Sequence, residues 1–209
     1  MIGDKLIYHS NYQNINAEII GKLKTQFLEK KRICIAVGGE SGSGKTSLAY
    51  ALLKDIEKTL GIEGFLFHAD DYFYLPPKDN HKKRLDNISN VGETEVNLDL
   101  LDRHVLSFIT AKEKLEKPLV NYAKNSIGKE TVCPKDFDFC VVEGTYVMLL
   151  KQPTFKVFIA NSFIETRSNR LKRARELSDN FNDEVLKIEH DIIKKHIKYA
   201  DMNINNKVL

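Results

Sequence analysis

Hydrophobic positions along the chain follow two patterns, short continuous runs and longer stretches at helical spacing. The continuous runs predict buried strands at residues 33–37, 65–67, 139–142, 157–160 and, more briefly, 202–204. Apolar residues three and four positions apart predict helices over 15–30, 46–60, 98–111, 163–177 and 183–199. Strands that alternate with helices indicate an α/β domain with a mostly parallel sheet.

Two polar stretches fit neither pattern. Pro76, Pro77 and the residues up to Gly92 predict a long loop, and residues 119–132 predict a hairpin or an irregular arm. Long ordered loops usually carry function. We therefore expect a single domain over residues 1–209, with functional loops near 74–97 and 119–132.

Composition and charge exclude several classes of protein. The 209 residues are 42% hydrophobic, which is enough for a full core, and 32 basic against 29 acidic residues leave a net charge of +3. That charge is too small to indicate a nucleic-acid partner. No apolar run approaches the roughly 20 residues of a membrane helix, and the first residues do not resemble a secretion signal. The three cysteines lack metal-ligand spacing. We expect a cytoplasmic protein without a membrane partner, and the sequence leaves a homo-oligomer open.

A glycine-rich segment carries the strongest chemical signal. Residues 39–46 spell GESGSGKT and match the pattern G-x-x-x-x-G-K-[ST] between a predicted strand and a predicted helix. Glycines let successive N–H groups point into one concavity, and the helix adds the positive end of its dipole. The alternative is a glycine-rich turn without a ligand. We predict a phosphate site for a nucleotide, formed by Gly39, Glu40, Ser41, Gly42, Ser43, Gly44, Lys45, Thr46 and Ser47.

Carboxylates follow two of the predicted strands. Asp70 and Asp71 come after the strand at 65–67, and Glu143 directly follows the strand at 139–142. Ligands of α/β sheets bind beyond the carboxyl ends of the strands. A carboxylate there can hold Mg²⁺ or accept a proton from an attacking hydroxyl, and Lys45 can reach the terminal phosphates. The alternative is that these acids cap a helix or lie in solvent. The predicted metal ligands are Thr46, Asp70 and Glu143.

Arginines recur at every third position of one predicted helix. Arg167, Arg170 and Arg173 therefore share a helix face. One interpretation is a solvated helix; the other is a lid, near residues 163–180, whose guanidinium groups cover a transferring phosphoryl group. On the second interpretation Arg170 and Arg173 are catalytic.

Four segments in this order resemble one known family. They are 39–46, 68–74 (HADDYFY), 141–144 (VVEG) and 198–201 (KYAD), and together they resemble the uridine kinase and phosphoribulokinase group of P-loop kinases. The resemblance implies a P-loop NTPase fold with a five-stranded, mostly parallel sheet flanked by helices and an Arg-rich lid. It also implies ATP and Mg²⁺ as cofactors and the hydroxyl of a small molecule as phosphoryl acceptor.

The resemblance also implies roles for individual residues. An aspartate in a D-x-[FY]-[FY] segment is the family's base, and Asp70 fits this pattern. A shift of one residue makes Asp71 the base instead; we favour Asp70 for its distance from the preceding strand. The KYAD segment would place a loop near the adenine. The implied acceptor-binding residues are Asp70, Asp71, Tyr72, Tyr122 and Glu143.

The acceptor region departs from the family pattern. A stretch with a base-contacting histidine is replaced by residues 90–97 (NVGETEVN), and in the segment 121–127 only Tyr122 corresponds. We expect an ATP-dependent kinase for a nucleoside such as uridine or cytidine. The alternatives are a kinase for a sugar or pantothenate-like alcohol and, less favoured, a nucleotide-binding switch or ATPase.

Overall fold

The computed structural model describes residue 2, residues 6–167 and residues 180–205. Its helices are α1 (Gln13–Lys22), α2 (Lys24–Leu28), α3 (Lys45–Leu60), α4 (Pro77–Asp86), α5 (Leu98–Ile109) and α6 (Asn180–Ile193). Its strands are β1 (Cys34–Gly39), β2 (Gly64–His68), β3 (Leu115–Asn121), β4 (Ser126–Val132), β5 (Phe139–Gly144), β6 (Phe155–Ile159) and β7 (Met202–Ile204). Within these residues no helix combines the length and apolar character needed to span a bilayer.

Five parallel strands form the central sheet in the order β2-β5-β1-β6-β7. This confirms the predicted five-stranded parallel sheet. Every residue of β1 and β5 is buried, because helices cover both faces of the sheet. Strands covered on both faces have continuous rather than alternating hydrophobic runs, which is why the sequence revealed them.

A hydrophobic core lies on each face of the sheet. On one face α1 and α3 contribute Ile19, Leu48 and Leu52. On the other, Leu101, Val105 and Phe108 of α5 form the core with residues of the sheet. Both cores support β1 and β5, so the carboxyl ends of these two strands are held rigidly.

A separate antiparallel hairpin, β3 and β4, stands beside the sheet. This confirms a hairpin over 119–132, although pairing begins earlier, at Leu115 with Val132. Leu115 and Lys117 of β3 are buried and Glu116 between them is exposed, so this part of the hairpin packs on the domain through one face.

The predicted long loop over 78–92 is wrong for most of its length. Helix α4 occupies Pro77–Asp86, and short 3-10 turns occupy Ile88–Asn90 and Glu93–Glu95. The one apolar side chain within α4 after Pro77 is Leu85, which is exposed, while the buried position is Asn80. Apolar spacing therefore could not reveal this helix. The usable signal was Pro77 in the first turn.

Two predicted helices differ in extent, and a third falls mostly on residues that the structure does not describe. The helix predicted over 15–30 is divided at Leu23 into α1 and α2. The helix predicted over 183–199 is α6, followed by a 3-10 helix from Lys194 to Tyr199. The helix predicted over 163–177, with Arg170 and Arg173, lies largely outside the described residues.

Candidate active site

The phosphate loop connects the central strand β1 to helix α3. Gly42 and Gly44 have φ angles of 77° and 89°, in the left-handed region that favours glycine. Gly39 cannot be replaced easily, because an added Cβ would lie 2.8 Å from the carbonyl oxygen of Ile159 on β6. The glycines of the motif are therefore required by the backbone as well as by any ligand.

A cavity of about 580 Å³ opens over this loop. Ser41, Gly42, Lys45 and Thr46 form its floor on the phosphate-loop side. The predicted residues Asp70, Tyr122, Glu143 and Arg167 line the same cavity. Residues that are far apart in the sequence are thus brought to one place at the carboxyl ends of β1, β2 and β5.

Glu143 is the centre of a buried polar cluster at the end of β5. The Nδ1 of His68 donates to one carboxylate oxygen at 2.8 Å, and the Thr46 hydroxyl donates to the other at 3.2 Å. Burial alone would raise the pKa of Glu143, but the bond from His68, with Lys45 and Thr46, outweighs it and lowers this pKa. In return, Glu143 raises the pKa of His68 against the effect of burial. Glu143 is therefore a carboxylate.

Asp70 lies in a 3-10 turn (Ala69–Tyr72) directly after β2. Burial, followed by repulsion from Glu143, raises its pKa to about 6, although Lys45 and His68 oppose the shift. A base is most effective when its pKa lies near the working pH. The environment of Asp70 thus makes it a better proton acceptor than an ordinary aspartate.

Asp71 is directed away from the cavity, which corrects its predicted place at the acceptor. Its side chain is fully buried, and one oxygen accepts from Lys117 Nζ at 3.0 Å. The other accepts from the backbone N–H of Val120 at 2.9 Å. Successive residues of a 3-10 turn project about 120° apart, so Asp70 and Asp71 cannot face the same space. The geometry makes Asp70 the candidate base.

Tyr72 is likewise a core residue and not a lining residue. It is 1% exposed, and its hydroxyl lies 2.9 Å from Nδ1 of His104 on α5. Its predicted contact with an acceptor is therefore wrong for this arrangement. Its aromatic character, which matched the family segment, serves the packing of the turn.

The other residues predicted for the phosphate site lie in the loop and in the first turn of α3. Lys45 Nζ donates to the carbonyl oxygen of Glu40 at 2.9 Å. Ser43 is buried, and Ser47 is half-buried within α3. Arg170 and Arg173 are outside the described residues, and their roles remain predictions.

Polar residues that the sequence did not single out form the opposite wall of the cavity. Asn80, His81 and Arg84 come from α4, and Glu189 comes from α6. Arg84 donates two bonds to Glu95, at 2.7 and 2.8 Å, and one to Glu189 at 3.0 Å. The spacing of Asn80 and Arg84, four residues apart, was the available signal. It was missed because the helix itself was not predicted.

Comparison of the sequence with known proteins finds similarity to kinases. The model of the Phosphoribulokinase / Uridine kinase family matches residues 34–207. The chain is 26% identical, over 187 residues, to the bifunctional alpha-galactosidase/sucrose kinase AgaSK of Mediterraneibacter gnavus, covering 83% of this chain and 20% of that protein. It is 23% identical, over 141 residues, to the uridine kinase of Lactobacillus johnsonii, covering 62% of each. The chain thus spans less than two thirds of either relative.

A solved structure shares the fold. Phosphoribulokinase from Rhodobacter spheroides superposes with a TM-score of 0.65 at 14% identity, covering 84% of this chain and 70% of that one. At this level of identity the likeness concerns the fold.

Proposed function

The chain belongs to the phosphoribulokinase/uridine kinase family of P-loop kinases, and from this we propose that it transfers the γ-phosphoryl group of ATP to a hydroxyl of a small molecule. The first candidate acceptor is a nucleoside such as uridine or cytidine. The uridine kinase of Lactobacillus johnsonii supports this choice.

The observation that carries the proposal is the joint lining of one cavity by Lys45, Thr46 and Asp70. The first two belong to a loop whose backbone suits phosphate oxygens, and the third is a carboxylate with a pKa raised to about 6. Phosphoryl transfer depends mainly on positioning and on stabilising the charge of the transition state. The cavity offers both a phosphate cradle and a proton acceptor.

On this proposal each residue has a role in phosphoryl transfer. The N–H groups of the loop and Lys45 hold the β- and γ-phosphates. The acceptor oxygen attacks the γ-phosphorus, its proton passes to the Asp70 carboxylate, and the bond to the β-phosphate oxygen breaks to release ADP. We assign Arg170 and Arg173 to the charge of the transferring group.

The residues beside the loop fit a magnesium ion. Thr46, Glu143 and Asp70 supply oxygen donors, the class that Mg²⁺ prefers, and Mg²⁺ needs few protein ligands when phosphates supply others. Repulsion between Glu143 and Asp70 contributes to the raised pKa of Asp70, so a cation is favoured between them. When bound, the ion neutralises the charge of the phosphates.

A sugar is the second candidate acceptor, and a pantothenate-like alcohol the third. The relative from Mediterraneibacter gnavus, named as a sucrose kinase, matches more of this chain than the uridine kinase does. In addition, the divergent segment 90–97 directs Glu95 into the bonds with Arg84. These bonds hold Arg84 in place in the wall of the cavity.

The test is ADP release measured against a panel of alcohols, with Mg²⁺ and ATP at saturation. The panel contains uridine, cytidine, sucrose, fructose and pantothenate. We expect one class to stimulate ADP release well above the rate in buffer. ATP hydrolysis that no alcohol alters would count against the kinase and would favour a nucleotide-dependent switch.

A further inference from the structure

Glu40 lies in the phosphate loop, yet its carboxylate is turned into the protein. The residue is 5% exposed. One oxygen accepts from the backbone N–H of Phe163 at 2.7 Å, and the other accepts from Nδ1 of His190 at 2.7 Å. A carboxylate in this loop repels the phosphates of a ligand. Its presence therefore requires a role that offsets the repulsion.

The partners of Glu40 belong to two segments that are distant from the loop in the sequence. The rings of Phe163 and His190 pack together, with centroids 5.6 Å apart. Near Phe163, the Thr166 hydroxyl donates to the carbonyl oxygen of Ser41 at 3.1 Å. Glu40 is thus the common anchor by which both segments are attached to the phosphate loop.

The residue next to His190 makes the connection to the other wall of the cavity. Glu189 accepts from Arg84 of α4 at 3.0 Å, and Arg84 is held by two bonds to Glu95. Consecutive residues of an α-helix project about 100° apart. Helix α6 can therefore contact the phosphate loop through one residue and α4 through its neighbour.

We propose that Glu40 is a positioning residue: it sets the place of α6 against the phosphate loop, so that nucleotide binding is transmitted through His190, Glu189 and Arg84 to the acceptor wall on α4. This inference rests on the proposed function, because it requires that the loop binds a nucleotide. Bonded side chains and one rigid helix form the physical connection.

Hydrogen exchange measures this transmission without knowledge of the acceptor. The full chain is compared with and without Mg²⁺ and a non-hydrolysable ATP analogue, and the amides of α4 (Pro77–Asp86) are followed by mass spectrometry. A coupling of typical size slows their exchange by about fivefold or more when the nucleotide binds. The Kd of each variant is measured first so that all are compared at equal occupancy.

Two variants break the connection at different points. Glu40→Ala removes the anchor, and His190→Ala removes its partner while leaving the phosphate loop intact. We expect His190→Ala to bind the nucleotide while the protection of α4 is lost. Glu40→Ala changes a residue of the predicted phosphate site, so it is compared at equal occupancy, where it should lose the same protection. Glu40→Gln keeps an oxygen for Phe163 and an N–H for a neutral His190, so it should retain most of the protection. The matched control is Glu184→Ala, at an exposed position of α6.

The outcomes separate the inference from the function beneath it. A wild-type chain that does not bind the analogue, with no shift in thermal unfolding, would overturn the proposed function and this inference together. Normal binding with no protection of α4 in the wild type would overturn the inference alone. So would protection that persists in both alanine variants. A uniform loss of protection throughout the chain in both variants would indicate a structural role only and would also overturn it.

Discussion

Two clusters of acidic residues lie on opposite sides of a single 3-10 turn. The cluster around Asp70 faces the cavity, with Glu143 nearby, and these carboxylates repel each other. The cluster around Asp71 is closed, because Lys117 and the N–H of Val120 satisfy its two oxygens. A buried charge that is fully paired stabilises one arrangement of the chain, whereas a charge held beside another of the same sign has an altered reactivity. Within this turn, Asp70 is therefore placed for reaction and Asp71 for stability of the fold.

Exchanging the two neighbouring acids for amides is the sharpest test of this difference. Asp70→Asn should lower turnover by about 100- to 10,000-fold, because it removes the proton acceptor, and should raise the free energy of unfolding at pH 7, because it removes a charge that folding disfavours. ADP release and urea unfolding measure the two effects.

Asp71→Asn is the matched control. It should lower stability and change turnover per folded molecule far less. Equal losses of turnover in both variants would show that the two clusters do not differ in function.

Removing the cation of the closed cluster should have the next largest effect. Lys117→Met leaves Asp71 buried without its ion pair and should cost about 3–5 kcal/mol in the free energy of unfolding. The exposed ion pair of Lys129 with Glu116 on the same hairpin provides the control, because Lys129→Met should cost less than about 1 kcal/mol. Similar losses of unfolding free energy in both variants, measured by chemical denaturation, would contradict the larger contribution of Lys117.

The cluster around Asp70 should determine the pH dependence of turnover. The active form of Asp70 is the carboxylate, and its pKa is raised to about 6. Mg²⁺ held beside Asp70 favours the carboxylate, so in turnover with Mg²⁺ the midpoint should lie below pH 6, with activity constant well above the midpoint and falling about tenfold for each unit below it. Glu143→Gln should move this midpoint to lower pH, because it removes a charge that raises the pKa. A midpoint that stays in place would contradict the proposed repulsion.

The smallest expected effect concerns His104, which contacts Tyr72 at the interior end of the turn. Burial lowers its pKa to about 4, so the folded chain holds it neutral while the unfolded chain binds a proton below about pH 6.5. Stability is then present above pH 6.5 and is lost as the pH falls towards 4. We expect a loss of about 1 kcal/mol between pH 7 and 5.5.

Urea unfolding at the two pH values measures this loss, with His104→Gln as the comparison. The variant should show a smaller loss than the wild type. An equal loss would assign the pH dependence to other groups.

The sequence was sufficient for the sheet and for the phosphate loop because both are local patterns. Fully buried strands have continuous apolar runs, and the loop motif specifies its own backbone through Gly42 and Gly44. The positions of Asp70 and Glu143 after predicted strands made them candidates, and the structure brings both to the cavity.

What the sequence could not predict depends on contacts between distant residues. Lys117 is 46 residues from Asp71, and His190 is 150 residues from Glu40. Without those partners, the preference for Asp70 over Asp71 as the base rested only on its distance from the preceding strand. The polar helix α4 was missed for a different reason, since it buries Asn80 rather than a stripe of apolar side chains.

The ion pair between Lys117 and Asp71 has a consequence for attempts to change the acceptor by grafting. The β3–β4 hairpin borders the cavity through Val120 and Tyr122, so it is an obvious segment to exchange with that of a relative. A transplanted hairpin without a lysine at this register would leave a lone negative charge in the interior, one residue from the proposed base. Chimeras should therefore retain the lysine or replace Asp71 at the same time.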